Sequence, residues 1–381
     1  MAACSKAQIS GLTHTYYKYP ARFSPEFARA IIDIFSQPGD TVLDPFMGGG
    51  TTLIEAYAAG RVTVGTDIST LAEFVSQVKT TVLSKKQIVQ LTSWLSALST
   101  ELNIHKPVER HDEWIEKGYQ KNLNSKQVWR IRKLVEQALN TCADLNDDEQ
   151  LRFARCAILK TAQWALDGRK SIPSTSSFRE KLENNFEAML ESHSELAQNI
   201  DRRKKKPICL NISADEIDSS AVWGTIKKPK LILTSPPYPG VHMLYHRWQV
   251  DGRKETPAPF WIANKLDGAG LSYYTMGDRK QHELKTYYEK AEAIFNSLKK
   301  ISTLETTVVQ MIAFSEPEWQ LPKYLEMMSK CGFKEKFLSH HNSKDSRLWR
   351  EVSNRKWHAF QKGATSSSKE VVLFHELKKP Q

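Results

Sequence analysis

The chain lacks any apolar run approaching the ~20 residues that a membrane span requires. Its opening stretch, MAACSKAQISGLTHTYYKYP, lacks the long apolar segment of a signal peptide. These absences predict a soluble, cytoplasmic protein with no membrane partner. Cysteine is scarce and scattered: Cys4, Cys142, Cys156, Cys209 and Cys331 form no close pair. The odd count and wide spacing exclude a disulfide framework and a zinc site, so no metal is expected and the thiols read as buried and free. No internal repeat is present. The glycine cluster at Gly48, Gly49 and Gly50 is followed by Thr51, which excludes both the P-loop ending Gly-Lys-Ser/Thr and the dinucleotide pattern Gly-x-Gly-x-x-Gly. His242 and His246 lie near Ser235, but the Gly-x-Ser-x-Gly elbow of a serine hydrolase is missing.

What is present is a chain of 381 residues, 40% of them hydrophobic, enough for one large domain or two ordinary ones. Mean hydropathy is −0.49. The formal net charge is +11 and the pI about 9.2, which fits a polyanion partner, above all nucleic acid.

Strand and helix patterns alternate in the first part. RFSPEFARAIIDIFSQPGD reads as a helix, with Ser24 as N-cap, Pro25 at the first helical position and a closing turn. Thr41 to Leu43 reads as a short buried strand. DPFMGGGTTLIEAYAAG reads as a strand end, a glycine loop and a helix, and RVTVGTD as a second strand ending at Asp67. A helix capped by Ser69 follows. From about Leu83 to Lys206 the pattern is helical, with amphipathic stripes around Val128–Leu139 and Asp148–Leu166. A Ser-rich loop, DGRKSIPSTSSF, and the charge run DRRKKK fall in this span. Strand patterns resume with PICLNISADEI and PKLILTSPPY. After a loop of mixed character come a helix in HELKTYYEKAEAIFNSLKKI, a strand in TTVVQMIAF, a helix in EWQLPKYLEMMSKCGF, and two strands in EKFLSHH and EVVLFHELKK.

This alternation predicts an α/β fold: a doubly wound, mostly parallel sheet with a helical insertion. The expected division is 1–82 and 207–381 for the two parts of the core and 83–206 for the insertion. Ligands of such sheets sit at the carboxyl ends of the strands, which puts Asp44 to Thr52, Asp67 and Ser235 to Tyr238 on one rim. Glycines let backbone approach a ligand closely. A carboxylate at the end of the second strand can accept from both hydroxyls of a ribose, so a nucleoside-containing ligand is expected. Asp215 could meet an adenine amine in the same way, or serve as a helix cap or turn residue. In Ser235-Pro236-Pro237-Tyr238 the prolines fix φ and remove donors. The Ser235 hydroxyl and Pro236 carbonyl are then acceptors suited to an exocyclic amine, and Tyr238 offers a ring on which a base can stack.

DPFMGGGTT and TSPPY resemble the paired cofactor and catalytic motifs of the amino-methylating, S-adenosylmethionine-dependent DNA methyltransferases. KYPARFSPEFARAII resembles the family's further cofactor motif ahead of the glycine loop. The Ser-Pro-Pro-Tyr form resembles the cytosine-N4 branch; the adenine-N6 branch more often begins that tetrapeptide with Asp or Asn. The resemblance implies a Rossmann-like class I methyltransferase fold and S-adenosyl-L-methionine as cofactor. It places Asp44, Pro45, Phe46, Gly48, Gly50, Thr51 and Thr52 at the cofactor's amino acid part and Asp67 with Ile68 at its nucleoside. Asp215 would meet the adenine, and Arg22, Phe23 and Ser24 would close over the methionine end. The expected partner is double-stranded DNA with its target base flipped onto Ser235, Pro236, Pro237 and Tyr238. A cognate restriction endonuclease and a prokaryotic, nucleoid-associated setting are implied by resemblance only. No Pro-Cys pair marks a carbon-5 enzyme. Adenine-N6 methylation, an RNA substrate and a non-catalytic nucleic-acid-binding module on a methyltransferase fold are the rival readings. For DNA contact, Arg169 and Lys170 in the insertion and His246 and Arg247 after the catalytic tip are the candidates, being residue types that neutralise phosphates. Trp248 and Trp261 could equally be core.

Overall fold

A computed structural model describes residues 9–19, 24–108, 112–201, 205–240, 247–266, 276–277, 280–338, 346–351 and 369–379. Arg22, Phe23 and His246 lie outside them. Helix α1 (Pro25–Phe35) starts where the sequence predicts: the Ser24 hydroxyl accepts from the Phe27 N–H at 3.2 Å, with Pro25 at the first position. Its Phe27, Ala28, Ile31 and Ile32 face the sheet and are buried. Burying each of the larger ones is worth about 1.5–3 kcal/mol. Next come β1 (Thr41–Asp44), α2 (Thr51–Ala58), β2 (Val62–Thr66) and α3 (Thr70–Thr80), the last capped by the Ser69 hydroxyl.

The insertion contributes α4 (Lys85–Glu101), α5 (Asp112–Glu116), α6 (Trp129–Thr141), α7 (Asp148–Leu166) and α8 (Thr175–Asn199). The Ser-rich segment is not all loop. Ser174 accepts from the Ser177 N–H at 3.1 Å and starts α8, because a serine string supplies a cap as readily as a turn. The sheet then resumes with β3 (Ile208–Leu210) and β4 (Leu231–Thr234). The expected strand in PICLNISADEI is shorter than its pattern. It pairs with β2 over only three residues and gives way to a 3-10 helix at Ala214–Ser219.

The region expected to be loop after the catalytic tip holds a hairpin, β5 (Trp248–Val250) with β6 (Lys254–Thr256), and a short helix α9 (Ala258–Ala263). Then follow α10 (Lys285–Ile301), β7 (Thr307–Ile312), α11 (Pro317–Lys330), β8 (Phe333–Glu335), β9 (Leu348–Glu351) and β10 (Lys369–Leu377). The strand expected in EKFLSHH begins earlier, at Phe333, which is buried, and takes only Glu335 from that stretch; residues 339–341 lie outside the described residues.

The main sheet runs β3-β2-β1-β4-β7-β10-β8, with β9 also paired to β10. Neighbours from β3 to β7 are parallel, and β10 is antiparallel to β7, β8 and β9. Strand order reverses between β1 and β4, and a doubly wound sheet opens a crevice at such a switch point. The insertion does not build a core of its own. Its residues share one apolar cluster with Leu71, Phe74 and Val75 of α3 and with Trp248, Phe260 and Trp261. Both tryptophans are therefore core residues, 2% and 4% exposed. No helix among the described residues is long and apolar enough to cross a membrane.

Candidate active site

The two predicted motifs meet at the switch point, and Asp44 joins them. Its carboxylate accepts from the Thr52 hydroxyl at 2.7 Å, the Thr234 hydroxyl at 2.7 Å and the Phe46 N–H at 3.1 Å. Thr52 belongs to the helix after the glycine loop and Thr234 is the last residue before the SPPY tip. Asp44 is 3% exposed, and burial raises its pKa to about 6 against the three hydrogen bonds that lower it. The structure thus makes Asp44 and Thr52 a strap between the motifs. Pro45 accepts from the Thr66 hydroxyl at 2.9 Å, and Phe46 packs on the cluster beneath α10.

The glycine loop is held by its carbonyls. Ser76 donates to the Gly48 carbonyl at 3.1 Å and the Lys79 ammonium to the Gly49 carbonyl at 2.8 Å. Both donors are buried and sit three residues apart on α3, hence on one helix face. Tyr19 lies against the loop: a Cβ built on Gly49 would come within 2.7 Å of the Tyr19 Cβ. Gly50 takes φ +77° as the N-cap of α2, and a side chain there would strike Ser76 at 2.8 Å. Thr51 is buried at the start of α2. Ser76, Lys79 and Tyr19 were not anticipated; a lysine inside a helix pattern reads as solvated until its neighbour in space is known.

Asp67 stands at the rim beyond β2. It accepts from the Gly48 N–H at 3.0 Å and the Ser69 N–H at 2.9 Å, and burial raises its pKa to about 6. Ile68, next to it, is 39% exposed, an apolar side chain left open at the rim. Asp215 is exposed in the first turn of the 3-10 helix after β3, where the Ser213 hydroxyl donates to it. Ser24 serves as a helix cap.

At the SPPY tip three carbonyls have different fates. The Tyr287 hydroxyl donates to the Pro237 carbonyl at 2.8 Å and the Ser315 hydroxyl to the Pro239 carbonyl at 3.4 Å. Among the described residues no donor reaches the Pro236 carbonyl. The Ser235 and Tyr238 hydroxyls are 3.2 Å apart, and Tyr238 donates to Glu370 at 2.7 Å. Glu370, on β10, is 5% exposed and is paired with Arg350 of β9 at 2.6 Å. Neither residue was anticipated, because the bond to Tyr238 spans 132 positions.

Of the DNA-contact candidates, Arg169 lies over the Trp164 ring at 4.5 Å and donates to the Trp164 carbonyl at 2.6 Å. Lys170 is exposed and Arg247 half-buried. Gly168 donates to the Gln249 carbonyl at 2.8 Å, and Gln249 donates to Asp167 at 3.1 Å. The loop around Gly168 and the hairpin strand at Gln249 are therefore joined on one surface.

The strand order, with its single antiparallel β10 between β7 and β8, and the two motifs at the switch point define a Rossmann-like class I methyltransferase fold. Residues 5–79 match the family model described as DNA methylase of the N6/N4 type. Over 96 residues the chain is 36% identical to Type II methyltransferase M.MvaI of Kocuria varians, a match covering 24% of this chain and 21% of that one. Over 127 residues it is 27% identical to Type II methyltransferase M.MjaII of Methanocaldococcus jannaschii, covering 30% and 24%. Over residues 5–79 the chain is thus similar to the N4/N6 DNA methylases. Its matches span about a fifth to a quarter of the length of these two relatives. Among solved structures, TrmN from Thermus thermophilus aligns over 94% of this chain and 50% of its own, with 12% identity and a TM-score of 0.31.

Proposed function

We propose that this protein is a site-specific DNA methyltransferase that transfers a methyl group from S-adenosylmethionine to the exocyclic N4 amine of cytosine. One observation carries the reading: at the switch point, no donor among the described residues takes the Pro236 carbonyl of the SPPY tip, while Tyr287 occupies the Pro237 carbonyl. A primary amine on a base needs two acceptors, and Ser235 with Pro236 can supply them. Tyr238 would support the base ring after the target leaves the stack, at a cost of a few kcal/mol.

The residues fit the cofactor. The rim places a carboxylate, Asp67, beside an open apolar side chain, Ile68, as a ribose and its base require. Each Asp67 oxygen accepts one backbone bond, which leaves acceptor capacity for hydroxyls. The glycine loop, with Ser76 and Lys79 behind it, leaves no side chain to obstruct close approach of the amino acid part. Phe46, Gly48, Gly50 and Thr51 would line that end, with Pro45 shaping the turn and Asp44 and Thr52 holding the loop against the catalytic tip. Arg22, Phe23 and Ser24 would cover the methionine end, and Asp215 the adenine. The bound cofactor supplies an electrophilic methyl; the protein's part is to position the amine, accept its hydrogen bonds and exclude water.

DNA would lie over the surface shared by the insertion and the segment after the tip. Lys181, like Arg169, lies over the Trp164 ring, at 5.9 Å, and the charge of Lys181 lowers the pKa of Lys160 after burial does. No carboxylate within ion-pair distance offsets Lys160, Arg169, Lys170 or Lys181 among the described residues. Gln163 exchanges two hydrogen bonds with the Lys18 backbone, at 3.1 and 3.0 Å, which sets this cluster next to Tyr19 and the glycine loop. Phosphate contact by Lys160 and Lys181 predicts that changing both to Gln lowers the slope of log affinity against log salt by about 0.9 per lost contact. An unchanged slope would remove the cluster from the interface. Arg247 would extend the same surface; His246, outside the described residues, stays a candidate for DNA contact.

The deciding experiment incubates the protein with unmethylated genomic DNA and S-adenosylmethionine and identifies the nucleosides by mass spectrometry. N4-methylcytosine is expected. N6-methyladenine would keep the site and move the base preference away from Ser235. Cofactor binding without any methylated base, in DNA or RNA, would favour a binding module. By analogy with the Type II methyltransferases it resembles, the protein would act in the prokaryotic cytoplasm beside the nucleoid, in a restriction–modification setting with a cognate endonuclease.

A further inference from the structure

The chain of hydroxyls at the catalytic tip has a direction, and the last strand sets it. We propose that Glu370 is a positioning residue that fixes Ser235 as a hydrogen-bond acceptor toward the target amine; this rests on the function proposed above.

Ser235 and Tyr238 lie 3.2 Å apart, and from that pair alone either hydroxyl could donate. Glu370 removes the ambiguity. Its one oxygen accepts from the Tyr238 hydroxyl at 2.7 Å and its other from Arg350 Nε at 2.6 Å. A carboxylate in an ion pair can only accept, so the single Tyr238 proton points to Glu370. The Tyr238 oxygen is then an acceptor, and Ser235 is the donor to it. With its only proton committed, Ser235 turns lone pairs outward. A base amine can donate to such an oxygen, whereas a base carbonyl finds no proton there. Hydrogen bonds in series reinforce one another in a low-dielectric site, and every member here is partly or fully buried.

The surrounding structure holds this arrangement in place. Glu370 and Arg350 are direct cross-strand partners in the β10–β9 register. Strand β10 is itself locked to β7 over six residue pairs. The Tyr287 bond to the Pro237 carbonyl fixes the backbone between Ser235 and Tyr238. The geometry thus ties the polarity of a catalytic-loop hydroxyl to a strand 132 positions away.

The test is a cycle of variants of the full chain, using turnover on unmethylated genomic DNA with S-adenosylmethionine. Tyr238→Phe keeps the ring and breaks the chain of hydroxyls. Glu370→Gln replaces an obligate acceptor with an amide that can also donate. Each is expected to lower kcat about three- to tenfold, with KM for S-adenosylmethionine unchanged. Ser235→Ala removes the oxygen being oriented, so adding either change to it should cost nothing more. Losses that multiply in the double variants, or no loss in the single ones, would overturn the role of Glu370 while leaving methyl transfer intact. Absence of any methylated nucleoside from the unaltered protein would instead overturn the proposed function and this inference with it. If Glu370→Gln fails to fold, as a lost thermal transition would show, Tyr238→Phe decides alone.

Discussion

The two halves of the site rim are rigidified in different ways. The glycine-loop half is held from behind by its neighbour in sequence: α3 supplies Ser76 and Lys79 to two successive carbonyls, and Asp67 clasps the Gly48 N–H. The SPPY half is held from far away, by Tyr287 on α10 and by the Arg350–Glu370 pair on the closing strands. A local clamp can form as soon as β1, α2, β2 and α3 pack. A remote clamp exists only when the whole sheet is closed. The cofactor half should therefore tolerate damage to the C-terminal strands, while the catalytic half should not.

The largest effect that separates the halves comes from the tip. Tyr238→Ala is expected to lower turnover roughly 100-fold, the scale on which misplaced reactants lose rate, with affinity for S-adenosylmethionine unchanged by calorimetry. Asp67→Ala should do the reverse, weakening cofactor affinity at least about tenfold by removing a partly buried acceptor. Equal losses of cofactor affinity in both variants would erase the distinction between the halves.

The same distinction explains what the sequence made legible. Gly48–Gly50, Asp67 and Ser235–Tyr238 announce themselves because special φ angles, strand ends and prolines are local signals. The sheet class followed from alternation, and Ser24, Ser69 and the long α7 were readable from caps and periodicity. Glu370 and Arg350 carry no such signal: Glu370 reads as an ordinary charge at the start of a strand pattern and Arg350 falls outside the strands read from the sequence, yet β9 and β10 set them opposite each other with Glu370 buried. Lys79 was hidden for the same reason. Its ammonium is buried because the glycine loop folds over it, a contact that no helix pattern encodes. The hairpin at Trp248–Thr256 was missed because its strands are three residues long and take their order from packing on α7.

Two substitutions compare the clamps directly. Arg350→Met would leave Glu370 buried without its cation; breaking a buried pair from one side costs about 3 kcal/mol or more, and the loss should appear in the denaturant midpoint together with turnover. Lys79→Met would leave the Gly49 carbonyl without its donor, at roughly 2 kcal/mol for a bond to a charged group, and should reduce cofactor affinity about tenfold while the Tyr238 side keeps its geometry. If Arg350→Met proved harmless to stability but Lys79→Met abolished turnover at saturating cofactor, the remote clamp would be the dispensable one.

The smallest effect is one of pH, and its two aspartates are Asp67 on the glycine-loop side and Asp44, the strap to the SPPY tip. Asp44 and Asp67 have pKa values raised to about 6, from an ordinary 3.8, because burial disfavours their charged forms. A raised carboxylate pKa means that the folded chain binds a proton before the unfolded chain does. As pH falls from 7 to 5, protonation therefore favours the folded state, by roughly 1 kcal/mol for each group. Glu55 opposes this at lower pH. His14 and Arg29 hold its pKa below 4.5, so its contribution is lost as pH falls through that lowered value. Buried His375 on β10 has its pKa lowered to about 3, so acidification below its ordinary value of 6.5 favours the unfolded chain and offsets most of the gain from the two aspartates. Asp44→Asn and Asp67→Asn should each remove their own share of that gain between pH 7 and 5 in thermal unfolding. Cofactor affinity should move the opposite way over the same interval, because a protonated Asp67 is a weaker acceptor for hydroxyls. A stability profile that Asp44→Asn leaves unchanged would mean that its three donors already outweigh burial, and that the strap between the two motifs holds its charge without cost.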